Sequence, residues 1–140
     1  VSLWYANPAP QQQLVPRIRR APGGETRWSS VAAPWLADAR IAVFAAEGDR
    51  GVIGYSVGRI ENGPAGLLPE RRGVVLELAI DAHGYHAGVG RELIGALRQW
   101  FIAQGAAELI VYVTRRHAVE QAFWRALGAK EWIDCLSMKC

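Results

Sequence analysis

At 140 residues the chain is the size of one domain. Its 51 % hydrophobic and 21 % charged residues exclude a disordered chain, and its longest apolar runs are strand-sized, so no membrane partner is expected. The net charge of +3 favours anionic ligands mildly, but the arginine clusters (Arg17, Arg19, Arg20; Arg71, Arg72; Arg115, Arg116) form no basic stripe interleaved with aromatics, so no nucleic-acid partner is expected either.

Residues 1–39 are broken by Pro8, Pro10, Pro16, Pro22 and the pair Gly23 and Gly24. They suggest at most a short strand over 15–20 and a short helix over 28–39, with Pro34 tolerated only near a first turn. From Arg40 the pattern sharpens. Residues 41–46 read as a strand, 47–51 as a turn and 52–60 as a second strand containing Gly54 and Gly58, which makes a hairpin. The Gly- and Pro-rich segment 61–72 reads as a loop. Residues 74–80 form a third strand, apolar on both faces except for Glu77, as a central strand of a covered sheet would be.

A helix follows from near Val89, with Leu93, Ile94, Leu97, Trp100 and Phe101 on one stripe and Gly105 as its closing glycine. A strand is expected over 109–113. Val119, Ala122, Phe123, Ala126 and Leu127 recur at helical spacing and mark a second helix closed by Gly128. A last strand is expected over 132–138. Hairpins first and strand–helix units later imply an α/β or α+β mixed sheet packed by helices. The start of the chain lacks a basic region followed by a long apolar run, so no secretory leader is expected. Cys135 and Cys140 suit neither a zinc site nor a redox pair; the expected setting is a reduced, cytoplasmic protein with no metal.

The most telling stretch is Tyr85, His86, Ala87, Gly88, Val89, Gly90, Arg91. Two glycines at a strand-to-helix turn allow close backbone approach. A helix N-terminus then offers unpaired N–H groups and a positive dipole end to an anion, most commonly a phosphate. A P-loop is excluded because Arg91 and Glu92, not Lys and Ser/Thr, follow Gly90. A dinucleotide fold places its glycine turn after the first strand, whereas three strands precede this one, and no ribose-binding acid ends the next strand.

From about Arg40 to Cys140 the chain resembles the GCN5-related N-acetyltransferase (GNAT) family. The glycine turn is similar to that family's Arg/Gln-x-x-Gly-x-Gly/Ala loop, the run 76–81 to its fourth strand, the run 51–55 to its third-strand opening, and 117–129 to its last helix. The resemblance implies one GNAT-like domain over 1–140. It has an irregular acceptor-side segment (1–39), a cofactor-binding core (40–140) and a mixed, mostly antiparallel sheet flanked by helices. It also implies an acetyl-CoA-dependent N-acetyltransferase that moves an acetyl group to a primary amine of a small molecule or protein by direct attack in a ternary complex. Homodimers are common in the family. By the same resemblance, Tyr85, His86, Ala87, Gly88, Val89, Gly90 and Arg91 hold the pyrophosphate, and pantetheine lies along Leu78, Ala79 and Ile80. A backbone N–H at Leu78 or Ala79 polarises the thioester.

Three departures from the family pattern stand out. Tyr85 replaces the usual Arg or Gln, His117 the frequent Asn, and Trp124 the frequent Tyr credited as general acid. An indole N–H donates a hydrogen bond but delivers no proton. Trp124 therefore reads first as packing and second as a cofactor contact, and His117 as a cap-region residue that the resemblance also places at the cofactor site. Tyr112 reads as packed on its strand. The best base is Glu77, because a carboxylate in an apolar strand must be paired, exposed on a cleft or altered in its ionisation; the plain alternative is an acid facing solvent. The competing function is a catalytically weak acyl-CoA-binding sensor or interaction module, supported by Trp124 and Tyr85.

Overall fold

The computed structural model describes residues 22–81, 88–115, 117–133 and 138. The strand expected over 15–20 and the loop residues Tyr85, His86 and Ala87 lie outside these, as do Arg116, Cys135 and Cys140.

Strand β1 (Ile41–Gly48) and strand β2 (Gly51–Asn62) form the expected hairpin, closed by the two-residue turn Asp49 and Arg50 with Gly48 opposite Gly51. Strand β3 (Arg71–Ile80) runs antiparallel to β2, so the expected loop shrinks to 63–70. Strand β4 (Leu109–Val111) pairs parallel to β3, giving one sheet in the order β1-β2-β3-β4. This is the mixed, mostly antiparallel sheet that the sequence led us to expect.

Alternation along β2 explains how the sheet is covered. Gly54, Ser56 and Gly58 form a nearly flat face, and Tyr55, Val57 and Arg59 line the other. Helix α2 (Val89–Ala103) lies on the flat face. A Cβ at Gly58 would come 2.6 Å from Phe101 Cζ and 2.7 Å from Leu97 Cδ2, so these two side chains occupy the space that the missing side chain leaves. The core formed there joins Val75, Ile94, Leu97, Phe101 and Trp124. A smaller core on the opposite face joins Tyr55, Val57 and Ala79 to Trp28, Trp35, Ile41 and Leu76.

Helix α1 is Gly24–Ala32, followed by a 3₁₀ segment, Ala33–Ala37. The expected helix over 28–39 thus begins earlier and breaks at Pro34, which sits in the first turn of the 3₁₀ segment. Helix α3 is Ala118–Ala126. Both long helices end as the glycines predicted. Ala106 N–H donates to Phe101 O and Gly105 N–H to Ile102 O; Ala129 N–H donates to Trp124 O and Gly128 N–H to Arg125 O. Gly105 (φ 79°) and Gly128 (φ 93°) take the left-handed conformation that such closures need.

Three expectations are corrected. The buried stripe of α3 runs through Glu120, Phe123, Trp124 and Leu127, leaving Val119, Ala122 and Ala126 exposed. Burying one indole removes far more apolar area from water than two alanines do, so the helix turns to bury Trp124. Tyr112 lies just past the end of β4 and is 74 % exposed, not packed. Trp132 and Ile133 are exposed and belong to no strand, and 134–137 lie outside the described residues. Among the described residues no helix is long and apolar enough to cross a membrane.

Candidate active site

The site begins with an irregularity in β3. Opposite β2 the register steps from Val57–Glu77 to Gly58–Val75, so Leu76 is an extra residue, a β-bulge. Its effect is visible on the side chains. Gly73 and Val75 face α2, and strict alternation would send Glu77 there too. Instead Leu76 and Glu77 both fall on the opposite face, while Leu78 rejoins the α2 side.

The backbone is inverted in the same way. Gly73 N–H donates toward β4, to Glu108 O, whereas Asp81 N–H donates toward β2, to Ile53 O. Counting back from Asp81 by alternation, Leu78 and Ile80 present their N–H and C=O groups on the β4 side, and Ala79 presents its own to β2. The pairing of β3 with β4 ends at Val75 opposite Val111. Beyond that point β3 has no ladder partner on β4 among the described residues, so the polar groups of Leu78 and Ile80 on that side are not engaged by β4.

The N-terminus of α2 stands beside this end of β3, with Gly90 against Ile80. Gly88, its N-cap, holds φ 78°, a conformation costly for any other residue, and its C=O accepts from Glu92 N–H. The N–H groups of Val89, Gly90 and Arg91 precede the first intrahelical bond. Gly90 is needed for a different reason: a Cβ there would lie 2.7 Å from Ile80 Cδ1 and 3.3 Å from two ring atoms of Phe123. The second glycine therefore lets the helix end press onto β3 and α3. Val89 is buried and Arg91 exposed.

Helix α3 supplies His117 and Trp124. His117, 9 % exposed, is the N-cap, and its Nδ1 accepts from Glu120 N–H at 3.1 Å, so the cap-region reading holds. Trp124, 4 % exposed, is packed in the main core. One Glu120 carboxylate oxygen is buried with no hydrogen-bond partner, and burial, offset in part by His117, pushes this acid above its ordinary range.

Glu77 is neither a free cleft acid nor a solvated surface one. Trp28 Nε1 donates to its Oε1 at 2.7 Å and Tyr55 Oη donates to its Oε2 at 2.7 Å. Burial first, then the hydrogen bond to Glu77, holds the Tyr55 phenol above its ordinary range, so it stays a donor at any working pH. Trp28 packs edge-on to Trp35, with centroids 6.1 Å apart, and is tilted against Tyr55 at 6.2 Å. Sequence reasoning missed these three aromatics. Tyr55 was legible as the large residue between Gly54 and Ser56; Trp28 and Trp35 sit in a segment whose prolines and glycines hide its periodicity.

Comparison with known proteins follows this geometry. Residues 10–129 match the family model described as the acetyltransferase (GNAT) family. The fold is similar to the tetramutant of the BH1408 protein from Bacillus halodurans, with TM-score 0.79 and 16 % identity, covering 99 % of this chain and 90 % of that one. It is similar to a putative acetyltransferase from Pyrococcus furiosus, with TM-score 0.74 and 15 % identity over 99 % and 92 % of the two chains. It is also similar to AAC(6')-Iy in complex with the bisubstrate analog CoA-S-monomethyl-acetylneamine, with TM-score 0.71 and 20 % identity over 93 % and 87 %. Among curated proteins none matches.

Proposed function

The chain belongs to the acetyltransferase (GNAT) family, and from that premise we propose that it moves an acetyl group from acetyl-CoA to a primary amine by direct attack in a ternary complex. The observation that carries this reading is the bulge at Leu76. One extra residue puts the backbone N–H and C=O of Leu78 and Ile80 on the β4 side of β3, past the end of its pairing with β4, and delivers Glu77 to the other face. The neighbour whose complex contains CoA joined to an acetylated amine supports a ternary complex, though its aminoglycoside is not carried over at 20 % identity.

In this reading Gly88, Val89, Gly90 and Arg91 hold the pyrophosphate together with Tyr85, His86 and Ala87. Pantetheine lies along Leu78, Ala79 and Ile80 as a further strand would. The outward N–H of Leu78 donates to the thioester oxygen as it becomes an oxyanion; Ala79, whose N–H faces β2, is not the donor. His117 and Trp124 close the opposite wall, Trp124 by packing. The amine nitrogen attacks the carbonyl carbon, the C–S bond breaks, and the nitrogen's proton passes to Glu77 directly or through water. Coenzyme A leaves as its thiolate. A thiol, with an ordinary pKa of about 8.5, needs no proton donor for this, so Trp124 in place of a tyrosine is compatible with turnover.

The test is thermal stabilisation by acetyl-CoA, desulfo-CoA and NADPH. At about 100 times Kd a ligand stabilises by about 2.7 kcal/mol. Shifts with both CoA species and none with NADPH are expected; no shift with CoA refutes the reading. Glu77→Gln then lowers kcat at neutral pH and leaves acetyl-CoA affinity intact, and an unchanged kcat removes Glu77 as the base.

A further inference from the structure

His117, Glu120 and Trp124 follow one another at intervals of three and four residues, so they share one face of α3. That face meets β3 and α2. Trp124 packs with Val75, Ile94, Leu97 and Phe101, and Leu78 packs against the same cluster. Phe123 and Ile80 converge on Gly90, where a Cβ would come 3.3 Å from two ring atoms of Phe123. Glu120 stands one turn before Phe123 and Trp124, on the side of α3 that covers Leu78 and Ile80. Of the three residues on this face, Glu120 is the one able to hold a proton and release it. The Trp124 indole donates a hydrogen bond but no proton. His117 uses Nδ1 to accept from Glu120 N–H, which requires the neutral ring, and a proton on Nδ1 would break the cap. Glu120 Oε2 is buried and accepts no hydrogen bond from the described residues. Withdrawal from water favours the neutral acid, and His117 offsets this in part. The other described charged groups of the elements packed here (Glu77 and Asp81 on and after β3, Arg91, Glu92 and Arg98 of α2, Arg115 before α3) add nothing to that balance.

The transferase reading leaves one proton unassigned. Coenzyme A departs as a thiolate, yet a thiol with an ordinary pKa of about 8.5 ends protonated at neutral pH. We propose that Glu120 is a second catalytic carboxyl, the acid that protonates the departing coenzyme A sulfur, one turn along α3 from the position where Trp124 replaces a tyrosine. This deepens the transferase reading and rests on it. The C–S bond breaks with its electron pair on sulfur, that pair takes the proton of the Glu120 carboxyl, and coenzyme A leaves as the thiol. Each turnover leaves Glu77 with one proton more and Glu120 with one fewer, and both reset through water. The thiolate needs no acid in order to leave; capture by Glu120 removes the nucleophile that would otherwise reverse the step.

The experiment titrates the thiol of bound coenzyme A. The full chain is saturated with CoA, and the ultraviolet absorbance of the thiolate is followed as pH rises, with the desulfo-CoA complex as the blank that removes tyrosine ionisation. In the wild type a carboxylate that has lost its proton opposes a second negative charge on the sulfur beside it. The thiolate is therefore expected about one pH unit or more higher than in Glu120→Gln. Equal midpoints overturn the proposal. Glu120→Ala removes the contact with sulfur altogether, and it should weaken CoA about threefold or more while leaving desulfo-CoA as it was. An equal effect on the two ligands overturns the proposal as well, because a carboxyl with only a structural role would move Tm and treat both alike. Should Glu120→Gln not fold, Glu120→Ala serves for the thiolate titration too. The same samples separate the two readings. CoA binding with an unmoved thiolate midpoint overturns the role of Glu120 alone, and absent binding of both CoA and desulfo-CoA overturns the transferase reading and this role with it.

Discussion

Gly88 and Gly90 serve different physical needs, and a double-mutant cycle with Ile80 separates them. In Gly90→Ala the new methyl lies 2.7 Å from Ile80 Cδ1 and 3.3 Å from Phe123 Cε2 and Cζ. Cδ1 is the free end of a side chain and can swing aside, so the cost falls in the lower half of the range for overpacking, about 1.5 kcal/mol. Unfolding entropy of about 2.1 cal/mol/K per residue, over 140 residues, gives about 0.3 kcal/mol/K, and Tm therefore drops about 5 °C. Ile80→Val removes Cδ1; alone it costs about 1 kcal/mol, but in the double mutant it relieves most of the new clash, a coupling of about 1 kcal/mol. Gly88→Ala meets nothing within 4 Å and costs about 1–2 kcal/mol only because φ is 78°. Ile80→Val cannot relieve that strain, so this pair shows no coupling. Thermal denaturation of the single and double variants measures both cycles. Equal coupling in the two, or a Gly90→Ala penalty untouched by Ile80→Val, refutes the assignment of Gly90 to close approach.

Gly73→Ala should be more damaging, because its Cβ would land 2.5–2.6 Å from three atoms of the Phe101 ring, which is 2 % exposed and has nowhere to turn. A loss of about 3 kcal/mol, or about 10 °C in Tm, is expected, whereas Gly95→Ala, in open space on α2, gains about 0.5–1 kcal/mol. His117→Ala removes the side-chain cap of α3 and lowers stability by about 1 kcal/mol in urea denaturation. For Glu120, burial raises the folded-state acid above its ordinary 4.5, so between these values the folded protein binds more protons than the unfolded one. Stability from this group is full below the ordinary value and is lost as pH rises through the folded one. Glu120→Gln should therefore raise Tm at pH 7 and show no such gain near pH 3; equal gains at both would refute the burial argument.

Much of this architecture was legible in the residues. The hairpin, the central strand, the stripe of α2 and the two closing glycines followed from turn chemistry and periodicity, because short-range physics decides them. The stripe of α3 did not, since Val119, Ala122 and Ala126 fit a helical period as well as Trp124 does, and only the size of the buried ring chooses between them. The glycine turn was recognisable as an anion site, but the two separate reasons for Gly88 and Gly90 depend on a dihedral angle and on a contact with Ile80. Glu77 stood out as the lone acid of an apolar strand. Its partners did not, because Trp28 and Tyr55 are 49 and 22 residues away in sequence, and because alternation alone would have aimed it at α2.

The extra residue in β3 also makes the length of that strand a form of information. A chain lacking Leu76 would set Val75 opposite Gly58 and Glu77 opposite Val57 as consecutive residues, so every other side chain would keep its face and only the bulge would vanish. Loss of Leu78 has the opposite effect: it would turn Ala79 toward α2 and Ile80 toward the aromatics, because one residue removed from a regular stretch exchanges the faces of all that follows. Deletions two residues apart thus differ in kind, one erasing an irregularity and the other moving it into the core. Variation among descendants of this gene should therefore accept the loss of Leu76 sooner than the loss of Leu78.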